Sequence, residues 1–249
     1  IFAIININSN IDMINEVVNR RSTFFIKEKI DINNDNILKI STALNGLGLL
    51  PSATKGVEIK VTPNGIVPES TLALEMKTID ESFKVVFGAD RIDIIRNKIS
   101  EDDNLSDLNE FVDKTIKVFK NLNSALSLVF TRLALCANIC YDLDIANLDN
   151  VYKRFLVEAD TTPSEWQIRR VFKEQNDELS VNLVSTISRS MIQVGYEGQL
   201  KDRLLLEIDI NTVPVTNLQI SEQSILAFWT YAKEKLNSII SSYSTKIIL

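Results

Sequence analysis

The sequence predicts an α+β protein with a mainly antiparallel sheet and two long helices, over residues 106–122 and 221–243. Short runs of alternating apolar and polar residues recur between turn residues, as half-buried strands require. In two stretches the apolar spacing changes to threes and fours, the period of a helix. A hydrophobic fraction of 45% over 249 residues supplies enough apolar surface for a large core. Strands lead to a long helix twice over. That order suggests two related halves, a strand-rich 1–100 and a helix-strand-helix 101–249, forming one compact domain or packed side by side. No residue-level repeat accompanies it.

Taken in order, residues 2–8 read as an opening strand. Residues 11–21 read as a short helix, with Ser9 or Asn10 able to cap it and Ile11, Ile14, Val17 and Val18 on one face. Segments 22–32 and 36–44 read as extended, separated by the turn residues Asn33, Asn34 and Asp35. Hairpins follow. Val57 to Val61 precedes Pro63-Asn64-Gly65, a turn signal, and Leu72, Leu74 and Met76 then alternate with polar neighbours. Phe83, Val85 and Phe87 alternate likewise, and Gly88-Ala89-Asp90 turns the chain into Ile92 and Ile94.

The stripe Leu108, Val112, Thr115, Phe119 and Leu122 is helical, with acids before it and lysines toward its end to match the helix dipole. Residues 126–143 return to period two. They read as a central strand covered on both sides. A short helix over 148–157 and strands over 166–174, 179–189 and 203–211 follow. Ser221 is the expected cap of the closing helix. Its stripe of Ile225, Trp229, Ala232, Leu236, Ile239 and Tyr243 is a heptad seam.

The chain has no histidine, which removes the commonest general base and the commonest nitrogen ligand for metals. Ser-His-Asp triads, Cys-His pairs and His-bearing zinc sites are excluded, and no phosphate-binding glycine loop is present. A net charge of −6 repels phosphate backbones, so nucleic acid is not an expected partner. No apolar run reaches the roughly 20 residues of a membrane helix. Cys136 and Cys140 stand four residues apart on one strand, about 13 Å, too far for a disulfide. They read as buried thiols in a reducing, cytoplasmic setting. As metal ligands they lack both companions and CxxC spacing. No cofactor or metal is expected.

Three constellations could carry chemistry. Glu58 with Lys60, and Glu75 with Lys77, form two Glu-x-Lys strands with both side chains on one face. A carboxylate holding a divalent cation beside a lysine that steers water suits phosphodiester hydrolysis. Glu207 and Asp209 pair two carboxylates on one strand face. Arg169, Arg170, Lys173 and Arg189, near Trp166 and Phe172, form a basic cluster divided between two faces.

The segments Phe83-Lys-Val-Val-Phe-Gly-Ala-Asp-Arg91, Phe130-Thr-Arg-Leu-Ala-Leu135, and Leu206-Glu-Ile-Asp-Ile210 with the closing helix resemble a family of functionally uncharacterised bacterial proteins of about this length. That family is sporadically distributed and often encoded with mobile or phage-related genes. The chain departs from it in lacking the proline-containing strand at the start and the histidine common in the terminal helix. The resemblance brings no catalytic residue. It implies a bacterial, cytoplasmic, interaction-type protein.

The leading expectation is therefore a non-enzymatic binding or protein-interaction protein in a bacterial mobile-element or defence system, associating with itself or a protein partner. Ile225, Trp229, Leu236 and Tyr243 of the heptad seam are the expected partner-binding residues. The alternative is a divalent-metal-dependent phosphodiesterase or nuclease using Glu58, Lys60, Glu75 and Lys77.

Overall fold

The computed structural model describes residues 14–62, 65–100, 103, 105, 107–156, 162–194, 198–214 and 219–248, with 14–15, 54–62, 65–72 and 248 described through the backbone alone. The first half runs β1 (Ile14–Ile26), α1 (Asn34–Leu44), β2 (Leu50–Thr62), β3 (Gly65–Lys77), β4 (Phe83–Phe87), β5 (Arg91–Asn97) and α2 (Leu108–Leu126). The second runs β6 (Phe130–Asp142), α3 (Ile145–Phe155), β7 (Trp166–Asn176), β8 (Leu179–Ile192), β9 (Lys201–Thr212) and α4 (Glu222–Ile248). The expected α+β class with an extensive antiparallel sheet is what the chain forms. The two halves share one nine-stranded sheet in the order β2-β3-β4-β5-β1-β6-β9-β8-β7. Each half opens with its central strand, so β1 and β6 pair antiparallel at the middle. The described elements pass from α2 to β6 through 127–129.

The four α-helices among the described residues lie on one face of this sheet. Phe24 of β1 stacks on Phe119 of α2, with ring centroids 5.7 Å apart, and meets Trp229 of α4 edge-on at 5.2 Å. Phe130 of β6 completes the ring cluster. Ser41 of α1 reaches Met76 of β3, and Tyr152 of α3 packs on Trp166 of β7. Leu133, Leu135, Ala137, Ile139 and Tyr141 of β6 and Leu204, Leu206, Ile208 and Ile210 of β9 fill the layer between sheet and helices. Polar links fix the helices in place: Thr115 donates to Ser22 at 3.2 Å, and the Ser185 and Tyr243 hydroxyls are 2.8 Å apart.

Three sequence expectations change. Of the expected helix 11–21, residues 14–21 form the start of a strand, and 11–13 lie outside the described residues. Its pairing with β6 steps from Val17↔Ile139 to Asn19↔Asn138, so a bulge at Val18 breaks the alternation. Apolar residues on either side of a bulge lose period two and mimic helical spacing. Segment 36–44 lies in helix α1. Asn33 is its cap, accepting from the Asn36 N–H at 2.9 Å, and Ile40 and Leu44 are its buried residues. The supposed turn was a cap. The expected strand over 2–8 lies outside the described residues.

The third change concerns α4. Ile225, Trp229, Leu236 and Tyr243 are each at most 5% exposed and belong to the core. The heptad seam packs on this chain's own sheet, so those side chains are not a partner-binding surface. We expect Leu236→Asp to abolish folding, read as loss of the cooperative transition in circular dichroism. Trp229→Ala should cost roughly 3–5 kcal/mol in chemical denaturation. Trp229→Phe should cost far less, because it keeps the ring contacts and removes a buried indole N–H that has no acceptor among the described residues.

Candidate functional site

Alternation along each strand sends every second side chain to the opposite face of the sheet. Among the described residues no helix covers that second face. Register assigns its rows. One runs Lys84, Ile95, Arg21, Cys136, Asp209, Val184 and Val171, and the next runs Val86, Asp93, Thr23, Ala134, Asn211, Asn182 and Lys173. Toward the middle these side chains bury one another: Thr23, Asp93, Cys136, Thr186 and Asn211 are all buried. Thr23 donates to Asp93 at 2.6 Å, and Arg91 pairs with the same carboxylate at 2.9 Å. The Cys136 thiol donates to Asp209 at 3.5 Å, with the Arg21 guanidinium 3.8 Å from its sulfur. Arg132 lies over the Phe25 ring at 5.0 Å.

This central band is inert as nucleophilic chemistry. Burial pushes the Cys136 thiol up to about 12, with the Asp209 carboxylate adding to it and Arg21 opposing it. Burial also pushes Cys140 up to about 12 against the pull of Arg203. Both are protonated, weakly reactive side chains at neutral pH. Both are free cysteines, as their spacing predicts.

The face ends at an outer strand, β7, which among the described residues pairs only with β8. β7 is 11 residues long and pairs without a bulge. Val171 on the open side is 44% exposed and Phe172 on the helix side 60% exposed. Glu174 holds α4 beside this strand, accepting from the Tyr231 hydroxyl at 2.8 Å and pairing with Lys235. Its hydrogen bond from Lys235, followed by that from Tyr231, holds the Glu174 carboxyl below its ordinary value.

The structure separates the residues that the sequence groups together. Glu75 lies opposite Ser52, whereas Glu58 lies opposite Glu69, six residues farther along β2. The two Glu-x-Lys pairs share a face by register but stand roughly 20 Å apart along the strands. Lys77 is paired with Glu81. The side chains of Glu58 and Lys60 lie outside the described residues. Among the described residues no group of three or more Cys, Asp or Glu side chains could hold a metal ion. Glu207 and Asp209 are both on the open face, Asp209 engaged with Cys136. The basic cluster is dispersed. Arg189 is buried on the helix side between Asp149 and Asp202, each at 2.8 Å, and Arg170 lies over Phe155 at 5.4 Å. Arg169 and Lys173 are exposed on the open face. Sequence reasoning missed the face that no described helix covers, because alternation on each strand is visible but not the segregation of the described helices to one side.

No family model matches the chain, and no curated protein matches it. Among solved structures it is similar to a TBP of Methanococcus jannaschii, at 11% identity over 94% of this chain and 97% of that one, with a TM-score of 0.25. The expectation that nucleic acid is not a partner is withdrawn. A TM-score of 0.25 says nothing of what this chain itself binds. The expectation was also physically too coarse. It rested on the mean charge of the chain, whereas Arg21, Arg91, Arg132, Arg169 and Lys173 share the open face with Asp93, Glu207 and Asp209. No described helix is long and apolar enough to cross a membrane.

The thiols make a pH prediction. Unfolded cysteines ionise near the ordinary value of 9.0, the folded ones near about 12. The folded state therefore keeps protons that the unfolded state releases, and the stability present below pH 9 declines as pH rises from 9 toward 12. The Cys136→Ala/Cys140→Ala double variant should show a shallower alkaline decline in guanidinium titrations. The native thiols should resist a disulfide reagent at pH 8 and react at once after unfolding.

Proposed function

We propose that this chain is a non-enzymatic interaction protein that pairs through the free edge of β7, with a second copy of itself as the occupant. The observation that supports this reading is the state of that edge. β7 is long and unbulged, contains no proline, and exposes Val171 and Phe172. A strand in that state is a template for another strand. Arg169, Arg170 and Lys173 guard it against indiscriminate pairing, as edge charges do.

Charge then selects the register. In a two-fold antiparallel pair each residue faces a residue of like parity, so the axis passes through one residue of β7. An axis at Val171 sets Arg169 against Lys173. An axis at Arg170 or Lys173 sets a cation against itself. An axis at Phe172 sets Phe172 on its own mate, Arg170 opposite Glu174, Arg169 opposite Gln175 and Lys173 opposite Val171. No like charges then face each other among these pairs. Each opposite-charge pair contributes roughly 0.2–1 kcal/mol and occurs twice by symmetry. The place of such a protein in a bacterial mobile-element or defence system rests on the family resemblance alone.

Light scattering on size-exclusion fractions tests this reading. A concentration-dependent dimer is expected for the unmodified chain. Phe172→Lys should shift it to monomer with unchanged circular dichroism. Arg170→Glu should weaken it, and the Arg170→Glu/Glu174→Arg exchange should recover part of the loss. A monomer at every concentration, or a dimer indifferent to Phe172→Lys, would end the proposal.

A further inference from the structure

Beneath the amino end of α2 the helix layer does not close on the sheet. A cavity of about 160 Å³ lies there, lined by Arg20, Thr78, Ser82, Phe83, Arg96 and Lys114 among others. Arg20 and Arg96 are directly opposite each other on β1 and β5, on the helix side. Two like charges in that relation repel, more so where water is scarce. The neighbouring charges are answered individually. Arg96 forms a two-pronged pair with Asp103, at 2.8 and 3.2 Å, and donates to the Asn97 carbonyl. Lys114 pairs with Glu110 at 2.8 Å. Asp107 accepts from the Asn109 N–H at 2.7 Å as the cap of α2.

Arg20 has no such answer. It is 7% exposed, lines the cavity, and among the described residues no acceptor lies within hydrogen-bond distance of its guanidinium. Burial lowers its proton affinity and Arg96 adds to that, with the Asp107 carboxylate attracting it from farther off. A guanidinium carries five N–H donors in a planar fork matched to the oxygens of carboxylate or phosphate. The Arg20 nitrogens are not sealed off from solvent but reach the cavity, so an acceptor entering there meets unpartnered donors. Asp107 and Glu110 also line the cavity, so its charge is nearly balanced. What is missing there is a set of acceptor oxygens at Arg20, with the Ser82 and Thr78 hydroxyls alongside. The volume accommodates a group of a few heavy atoms such as a phosphate.

We infer that this cavity is a binding site for a small oxyanion, a phosphate group held by Arg20 with Lys114 at the rim. The shared chemistry has two sources, free phosphate and the terminal phosphate of a small monoester.

Phosphorus NMR reads binding directly, with inorganic phosphate and glycerol phosphate as the two probes. We expect saturable broadening of the phosphate resonance by the unmodified protein, reversed by excess sulfate. Broadening of inorganic phosphate alone identifies an enclosed site for the free anion, and broadening of both identifies one that takes the group through its mouth. Arg20→Gln should weaken binding at least about tenfold, the scale of losing a charge-assisted hydrogen-bond pair. Lys114 is 44% exposed, so Lys114→Glu leaves the core intact and should weaken binding severalfold even if Arg20→Gln does not fold. Absence of saturable broadening in the unmodified protein overturns the inference. So does equal affinity in the unmodified protein and Lys114→Glu, or in Arg20→Gln where it folds.

Discussion

Antiparallel pairing of β1 with β6 decides which side chains across the whole sheet meet the helices. Phe24 lies opposite Leu133, and Ser22 opposite Leu135. Those positions point at α2 and α4, where Phe119, Thr115 and Trp229 receive them. Because side chains alternate with a period of two, a slip of one residue would turn Phe24 to the open face and Thr23 into the core. Every other strand inherits its parity from this pair through β5 and β9. The aromatic cluster therefore does more than fill volume. It specifies the register in which each half joins the other, and the bulge at Val18 confines a change of phase to the end of β1.

Much of this was legible in the sequence wherever one period governed an element. The stripes of α2 and α4 read as helices because each buries a single face, and β6 through β9 read as strands because their alternation is long. The failures have physical causes. A bulge gave β1 the spacing of a helix. In α1, Ser41 and Thr42 are weak helix formers and masked the register of Ile40 and Leu44. The seam on α4 was legible as apolar, but whether an apolar stripe meets its own sheet or a partner depends on tertiary placement that no local pattern contains. For the same reason the Glu-x-Lys pairs looked equivalent, although register sets them far apart.

Composition misleads where a protein has two unlike faces. The mean charge is −6, yet arginines occupy both the open face and the covered layer. Those in the covered layer are mostly matched. Arg189 joins α3 to β9 by holding Asp149 and Asp202, with its hydrogen bond to Asp202 leading the rise in its proton affinity. Arg154 donates to the carbonyls of Lys246 and Ile247 at the carboxyl end of α4, where a cation is favoured. These links fix helix positions that apolar packing alone would leave free to slide.

Arg20 and the β7 edge are two places where the physics of burial leaves something open. Helices that lie on one face of a sheet must leave its outermost backbone edges to solvent, so an unpaired β7 follows from the architecture. What the architecture does not require is an apolar Phe172 on that edge, or an arginine beneath α2 opposite another arginine. Both residues stand in positions where a polar or smaller side chain would fold with less conflict. An uncompensated local choice inside an otherwise consistent fold points to a constraint outside folding. For Phe172 a second strand would satisfy it, and for Arg20 an anion would. The two sites lie in different halves of the chain, so each can be removed without touching the other.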